Sequence, residues 1–427
     1  MSFEFSADFA KKMDASDPLL DFRSEFEFPQ HEGKNVLYFT GNSLGLMPKK
    51  ARAAVESELN NWSQLAVEGH FKGDNPWFHY HKLTKQGSAY MVGAEEEEVV
   101  VMNGLTVNLH LMMVSFYQPT AKRFKIICEE KAFPSDQYVF ETQAKFHGFN
   151  PEEAIIEVGP REGETYIREE DIISTIKEHG DEVALVLFGG INYYTGQRFD
   201  IKEITRVGQE VGAKVGWDLA HAAGNIELEL HKWNVDFACW CTYKYLNSGP
   251  GAQSGVFVHK RYANDHTLNR FAGWWGYDQA TRFRMEKNFV PMKGADGWQL
   301  SNGPILAFAP HKCALEQFMR AQKENLFAKR DKLTGYLEFI LEELASKYPD
   351  FGFKILTPKN PKQRGSQISL YVENRGKEIF DYLIDNGVIP DWREPNVLRF
   401  APVPMYNSFE DVYQLGSLMR EVLEKLK

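Results

Sequence analysis

From residue 99 onward, unbroken apolar runs alternate with stretches of helical period. The runs fall at 99–102 (Val-Val-Val-Met), 124–128, 183–188, 213–217, 235–241 and 255–259, with amphipathic segments such as 168–179 and 201–211 between them. A strand covered on both faces needs apolar side chains at every position, so this pattern predicts an α/β fold around a mainly parallel sheet with helices on both sides. Ligands in such sheets bind beyond the carboxyl ends of the strands. After the Asn-Gly-Pro turn at 302–304 the pattern changes to a long helical stretch over 305–347. Candidate strands at 367–372 and 397–401 and helices at 376–386 and 408–426 follow, which predicts a smaller α+β domain. The expected organisation is an N-terminal segment, 1–48, serving the small lobe and the site, a large domain, 49–304, and a small C-terminal domain, 305–427.

Composition narrows the classes. A chain of 427 residues with 43% hydrophobic and 14% aromatic residues can bury a sizeable core. Its 49 basic and 59 acidic residues leave a net charge of −10, which argues against a phosphate-backbone binder, so no nucleic-acid partner is expected. The start, Met-Ser-Phe-Glu-Phe-Ser-Ala-Asp, lacks a basic stretch followed by an apolar one, and no long apolar run follows anywhere. A cytoplasmic protein without a membrane partner is the expectation. Cys128, Cys239, Cys241 and Cys313 show no Cys-x-x-Cys spacing, so buried free thiols are expected rather than a metal site. The four acids at 95–98 predict a solvated face, because consecutive residues do not converge on one point.

The chemistry concentrates where strands end. The run Phe-Ala-Cys-Trp-Cys-Thr-Tyr-Lys delivers one amine, Lys244, and an upstream strand delivers Asp218 and His221 in Trp-Asp-Leu-Ala-His-Ala-Ala-Gly. A lysine able to form a Schiff base and an aspartate able to keep a pyridine nitrogen protonated are the equipment of a pyridoxal 5'-phosphate (PLP) enzyme. The Gly/Pro loop after Lys244 leaves the lysine an open approach, and Tyr243 can reach a phosphate or act as a proton donor. Val-Val-Val-Met-Asn-Gly-Leu-Thr-Val-Asn ends a strand and offers Thr106 and Asn108 at a helix start, which suits a phosphate or, equally, an ordinary N-cap. In Phe133-Pro134-Ser135-Asp136 the aromatic ring can stack on a cofactor and the acid can bond its substituents, although a Pro-Ser turn explains the same letters.

Six segments in order resemble the kynureninases, fold type I PLP enzymes of the aspartate aminotransferase superfamily. They are the two around Asp218 and Lys244, Tyr-Phe-Thr-Gly-Asn-Ser-Leu-Gly-Leu (38–46), Tyr-Tyr-Thr-Gly-Gln (193–197), Gly-Trp-Trp-Gly (273–276) and Arg-Phe-Ala-Pro-Val-Pro-Met-Tyr-Asn (399–407). The resemblance implies hydrolytic cleavage, through a PLP aldimine, of L-kynurenine or L-3-hydroxykynurenine to anthranilate or 3-hydroxyanthranilate plus L-alanine. It places the chain in the kynurenine pathway, in tryptophan catabolism or NAD biosynthesis.

By the same resemblance Lys244 forms the Schiff base, Asp218 pairs with the pyridinium and Tyr243 lies near the phosphate; the chemistry of the cleavage makes Tyr243 the candidate acid, so these three are the expected catalytic residues. Leu105, Thr106, Phe133, Pro134, Ser135, Asp136, Asp218, His221, Tyr243, Lys244, Trp274 and Asn302 contact the cofactor, with Trp274 and Asn302 reaching it across a homodimer interface. Ser43, His70, Ser301, Asn302 and Arg399 bind substrate, Arg399 through its α-carboxylate and His70 with Asn302 through a ring hydroxyl. Gly189 falls where some members place a serine. Competing expectations are a cysteine desulfurase or aminotransferase of the same fold, and a PLP-binding regulator without turnover. The first needs a mobile cysteine, and the second has no DNA-binding module in this chain.

Overall fold

The computed structural model describes residues 3–427. The large lobe is built on a seven-stranded sheet: β1 Val99–Met102, β2 Lys125–Glu129, β3 Ile155–Val158, β4 Val183–Gly189, β5 Lys214–Asp218, β6 Phe237–Trp240 and β7 Ser254–Val258, in the order β1-β7-β6-β5-β4-β2-β3. Only β7 runs antiparallel to its neighbours. Alternate side chains enter separate cores, Val186 and Phe188 on one face and Leu185 and Leu187 on the other. Both faces are therefore dry, which is why the strands read as continuous apolar runs. The register sets Asp218 beside Gly189 on one side and Cys239 on the other. Burial raises the Cys128 and Cys239 thiols well above their ordinary range.

The smaller lobe has a four-stranded antiparallel sheet: β8 Phe353–Ile355, β9 Ile368–Val372, β10 Asp391–Arg393 and β11 Val397–Phe400, in the order β8-β9-β11-β10. Helices Lys323–Lys347 and Phe409–Leu426 cover it through Leu337, Leu341, Leu415 and Met419. Ala10 and Met13 of the N-terminal helix Ala7–Ala15 enter this same core. The segment Leu37–Tyr38 pairs in parallel with Val388–Ile389, which carries the chain from the small lobe toward the site.

Three expectations are corrected. The stretch 305–347 is two helices, Ile305–Ala321 and Lys323–Lys347, broken at Gln322 with φ +64. Leu315 and Phe318 of the first helix pack in the large lobe's core, Leu333 and Leu337 of the second in the small one, so the chain must turn between them. Strands β3, β8 and β10 were absent from the sequence pattern. Each is short and partly exposed, so none has an unbroken apolar run. The acidic run is not wholly solvated either: Glu98 is buried, and its carboxylate accepts hydrogen bonds from the N–H groups of Glu95 (2.9 Å) and Lys260 (2.8 Å).

Candidate active site

A cavity of about 440 Å³ lies at the carboxyl edge of the central sheet and is walled on its other side by the small lobe. Leu105, Thr106, Phe133, Ser135, Asp136, Asp218, His221, Tyr243, Lys244, Ser43 and Arg399 all line it, and Pro134 occupies the first turn of the helix Pro134–Phe146 that aims Ser135 and Asp136 inward. Beyond β6 the chain folds back on itself, with Ser248 N–H donating to the Thr242 carbonyl at 3.2 Å. Gly45 N–H donates to the Tyr243 carbonyl at 2.8 Å. A Cβ at position 45 would run into Asn247 Oδ1 and the Lys244 carbonyl, so only glycine lets the 38–46 segment lie against the lysine loop.

The amine of Lys244 stands 3.2 Å from His221 Nε2 and 5.8 Å from the centre of the Phe133 ring. Burial, reinforced by Lys244, Arg399 and Arg393, pushes the His221 imidazole well below its usual range, so it is neutral and Nε2 can accept from the amine. The Asp218 carboxylate accepts from Ala220 N–H at 2.7 Å. Its pKa is raised by burial, against the pull of that N–H and of Lys244. Asp136 is raised further, by burial and then by Asp218 itself. Two buried carboxyls side by side cannot both ionise cheaply, and the proximity of Asp218 adds to the rise at Asp136. The Tyr243 phenol is held protonated by burial first and by the neighbouring Cys241 second.

The cavity suits PLP at both ends. The helix Leu105–Phe116 begins at Gly104, whose lack of a side chain leaves the first-turn N–H groups beside Thr106 uncapped, and the buried Ser254 Oγ next to them has no partner. Uncapped N–H groups at the positive end of a helix with a spare hydroxyl are a phosphate site. At the other end Asp218 offers a carboxylate, and the buried His221 Nδ1 is likewise unpartnered. Asn108 takes no part, because its Nδ2 donates to the Met102 carbonyl at 2.7 Å and holds the strand-to-helix turn.

On the small-lobe side, the guanidinium of Arg399 is 1% exposed. It donates from Nε to Asp391 Oδ1 (2.9 Å) and from Nη1 to the Tyr193 carbonyl (2.5 Å), and Nη2 lies 2.7 Å from Asp391. Arg393, also lining the cavity, approaches the same Asp391 oxygen at 3.0 Å. Two guanidinium groups on one carboxylate leave a net positive end to the cavity. Arg393, Asp391 and Glu129 are site residues that the sequence did not single out. The signal for the first two is the antiparallel register that pairs Asp391 with Arg399.

Trp274, His70, Ser301 and Asn302 do not line the cavity. Trp274, Ser301 and Asn302 are exposed; His70 is half-buried, its Nδ1 3.0 Å from the Val67 carbonyl. They share one face. Ring centroids step from His70 to Phe71 (6.3 Å), Phe78 (5.9 Å), Phe283 (5.8 Å) and Trp274 (5.7 Å), and Trp275 N–H donates to the Leu300 carbonyl (3.1 Å) just before Ser301.

Elsewhere, Glu98, His231 and His259 bring potential ligand atoms within 4.8 Å of one another. That grouping is accounted for by hydrogen bonds, since His259 Nδ1 accepts from Arg261 N–H (3.1 Å) and His231 Nδ1 meets Glu98 at 2.9 Å. No cysteine lines the cavity among the described residues.

The fold and this site define a fold type I PLP enzyme, and comparison with known proteins agrees. Residues 37–264 match the class-V aminotransferase model and residues 326–419 the kynureninase C-terminal domain model. The chain is 58% identical to the kynureninase of Flavobacterium johnsoniae over 99% of both chains, and 52% identical to that of Myxococcus xanthus over 96% of both. Among solved structures it resembles apo cysteine desulfurase from Thermococcus onnurineus NA1, with a TM-score of 0.76 at 16% identity, covering 100% of this chain and 99% of that one. A C-DES variant with glycine covalently linked to its PLP cofactor gives a TM-score of 0.74 at 15% identity, covering 90% and 96%. Those two likenesses concern the fold. The chain belongs to the kynureninase family, PLP-dependent hydrolases.

Proposed function

We propose that the protein hydrolyses L-kynurenine and L-3-hydroxykynurenine to L-alanine and anthranilate or 3-hydroxyanthranilate, with 3-hydroxykynurenine the better substrate. The observation that carries the reading is the meeting in one cavity of Lys244, Asp218, Tyr243 and Arg399. In it, residues 1–48 serve the small lobe and the site, 49–304 hold the cofactor, and 305–427 carry the clamp for the substrate's carboxylate.

When bound, PLP supplies an electron-accepting ring that makes the substrate's Cα proton acidic. Thr106, the helix start and Ser254 would hold its phosphate, Phe133 would border its ring, and Asp218 would serve as the anionic partner of the ring nitrogen. Arg399, with Arg393 beside it, takes the α-carboxylate; a guanidinium fork matches that group's two oxygens. Lys244 Nζ removes the Cα proton, and the neutral His221 beside it can accept hydrogen bonds without competing as a cation. Tyr243, still protonated near neutral pH, donates to the γ-carbonyl oxygen as water adds.

Preference for the hydroxylated substrate rests on His70, Ser301 and Asn302, which we assign to the cavity of a second copy in a homodimer, together with Trp274. Their shared face supports this. Phe71 is 62% exposed and Met285 71%, beside Phe283 and Trp274, more clustered aromatic surface than a monomer usually leaves open. An imidazole and an amide left unpaired by plain kynurenine would cost about 1–3 kcal/mol. The test is to incubate the PLP-loaded protein with each kynurenine and follow release of the aromatic amine. Release from neither substrate would refute the assignment.

The cysteine desulfurase alternative finds no support at the site. Cys128, Cys239 and Cys241 are buried, and Cys313 sits in the helix Ile305–Ala321 away from the cavity.

A further inference from the structure

One buried carboxylate holds the turn through which the two lobes meet at the site. Glu129 ends β2 and is 3% exposed. Its Oε1 accepts from Gly189 N–H at 3.2 Å and its Oε2 from Asn192 Nδ2 at 2.7 Å. A Cβ at position 189 would come within 2.7 Å of Oε1, so the glycine makes room for this carboxylate. Asn192, oriented by Glu129, accepts through Oδ1 from the N–H groups of Tyr194 (3.0 Å) and Thr195 (2.9 Å) and from Thr195 Oγ1 (3.1 Å). Those bonds fix the carbonyl between them. The Tyr193 carbonyl accepts from Arg399 Nη1 at 2.5 Å and from Gln367 Nε2 at 3.0 Å.

A buried carboxylate is costly, and this one is held by neutral N–H donors alone, an arrangement poor for stability and useful only if the geometry it sets is needed. Each end of the relay satisfies hydrogen-bond capacity that would otherwise be orphaned, so a change at one end is felt at the other.

We propose that Glu129 is a positioning residue for substrate binding: through Asn192 and the 192–195 turn it sets the place of the Arg399 guanidinium and so governs affinity for the substrate's α-carboxylate. The proposal rests on the clamp role given above to Arg399. In Glu129→Gln the new amide group faces the Asn192 amide, donor against donor, while the side-chain shape is kept. Exchanging the pair, Glu129→Gln with Asn192→Asp, restores a donor and an acceptor at each contact.

The experiment is steady-state kinetics on the full-length, PLP-loaded protein with kynurenine, plus inhibition by kynurenamine, which lacks the carboxylate. Glu129→Gln is expected to raise KM about tenfold while kcat stays within about twofold, with the cofactor's absorbance spectrum and the kynurenamine Ki unchanged. The exchanged pair should bring KM back to within about threefold of wild type. Asn192→Ala breaks the relay from the other side and should raise KM similarly, which keeps the test decisive should Glu129→Gln fail to fold. An unchanged KM in Glu129→Gln or Asn192→Ala, a fall confined to kcat, or no recovery in the exchanged pair overturns the proposal. Arg399→Lys run in parallel separates the two assignments. A raised KM there with none in Glu129→Gln removes the relay and leaves the clamp, whereas no change in Arg399→Lys removes both.

Discussion

The cavity at the sheet edge and the aromatic face around Trp274 are built on opposite principles. In the cavity, Glu129, Asp218 and Lys244 lie at or just beyond the ends of β2, β5 and β6, Asp136 stands on the first turn of the helix Pro134–Phe146, and Glu129, Asp218 and Lys244 each have a hydrogen-bond partner within the chain. On the face, Phe71, Trp274 and Phe283 pack on one another or on Phe78 along one side only and leave about half or more of their surface open. Charge chemistry needs positions held to fractions of an ångström in a dry setting, which a rigid sheet supplies. Substrate discrimination needs only a wall, and a wall can come from another molecule. The difference implies that substitutions in the cavity act on the chemistry or on the hold on the substrate's carboxylate, and substitutions on the face on assembly and selectivity.

The largest expected effect is that of Lys244→Ala, which should abolish turnover, since among the described residues no other lysine lines the cavity. Borohydride-fixed cofactor in the mutant at near normal activity would show another lysine at work. Asp218→Ala should keep the fold and lower kcat by roughly 10²-fold or more, because the ring nitrogen loses its anionic partner. A near normal kcat would locate that role elsewhere.

Next comes a test of the cavity's electrostatics without cofactor. Burial, reinforced by Asp218, pushes the Glu129 carboxyl up to about 7 from its ordinary 4.5, and the other carboxyls near it, Asp136 and Asp218, shift the same way. A raised carboxyl stabilises the fold fully below its unfolded pKa and loses that contribution as pH rises through the folded value. The stability of the cofactor-free wild type relative to Glu129→Gln should therefore fall between about pH 4.5 and 7, by about 3 kcal/mol. Denaturant midpoints across this range check it; a pH-independent difference between the two proteins contradicts the shift.

The smallest effect belongs to the face. Wild type should favour 3-hydroxykynurenine by about tenfold in kcat/KM and His70→Trp should erase most of that margin. Phe283→Asp should weaken the proposed dimer in light scattering and narrow the same margin. A fully active wild-type monomer, or equal kcat/KM for the two substrates, would dissolve the contrast between cavity and face.

Much of the large lobe was legible in sequence because a doubly covered parallel sheet requires continuous apolar strands, and five expected runs fall within a residue or two of β1, β2, β4, β5 and β7. Asp218 and Lys244 were legible because charged residues directly after such runs must lie at the sheet edge. Glu129 meets that description too, yet with Glu130 beside it the pair reads as a solvated end. Only the placement of β2 against β4 buries the first of them beneath Gly189 and Asn192. Asp391 and Arg393 lay in a strand too short to signal itself, and the break at Gln322 falls within uninterrupted helix-forming sequence. The sequence by itself determined which residues can do chemistry and which edge of the sheet they reach, since both follow from local periodicity and residue type. Tertiary structure decided which buried carboxyls stand together, which carboxylate holds the turn beside Arg399, and that His70, Ser301 and Asn302 stand outside the cavity. Those depend on distances between segments far apart in the chain, and local patterning carries no information about such distances.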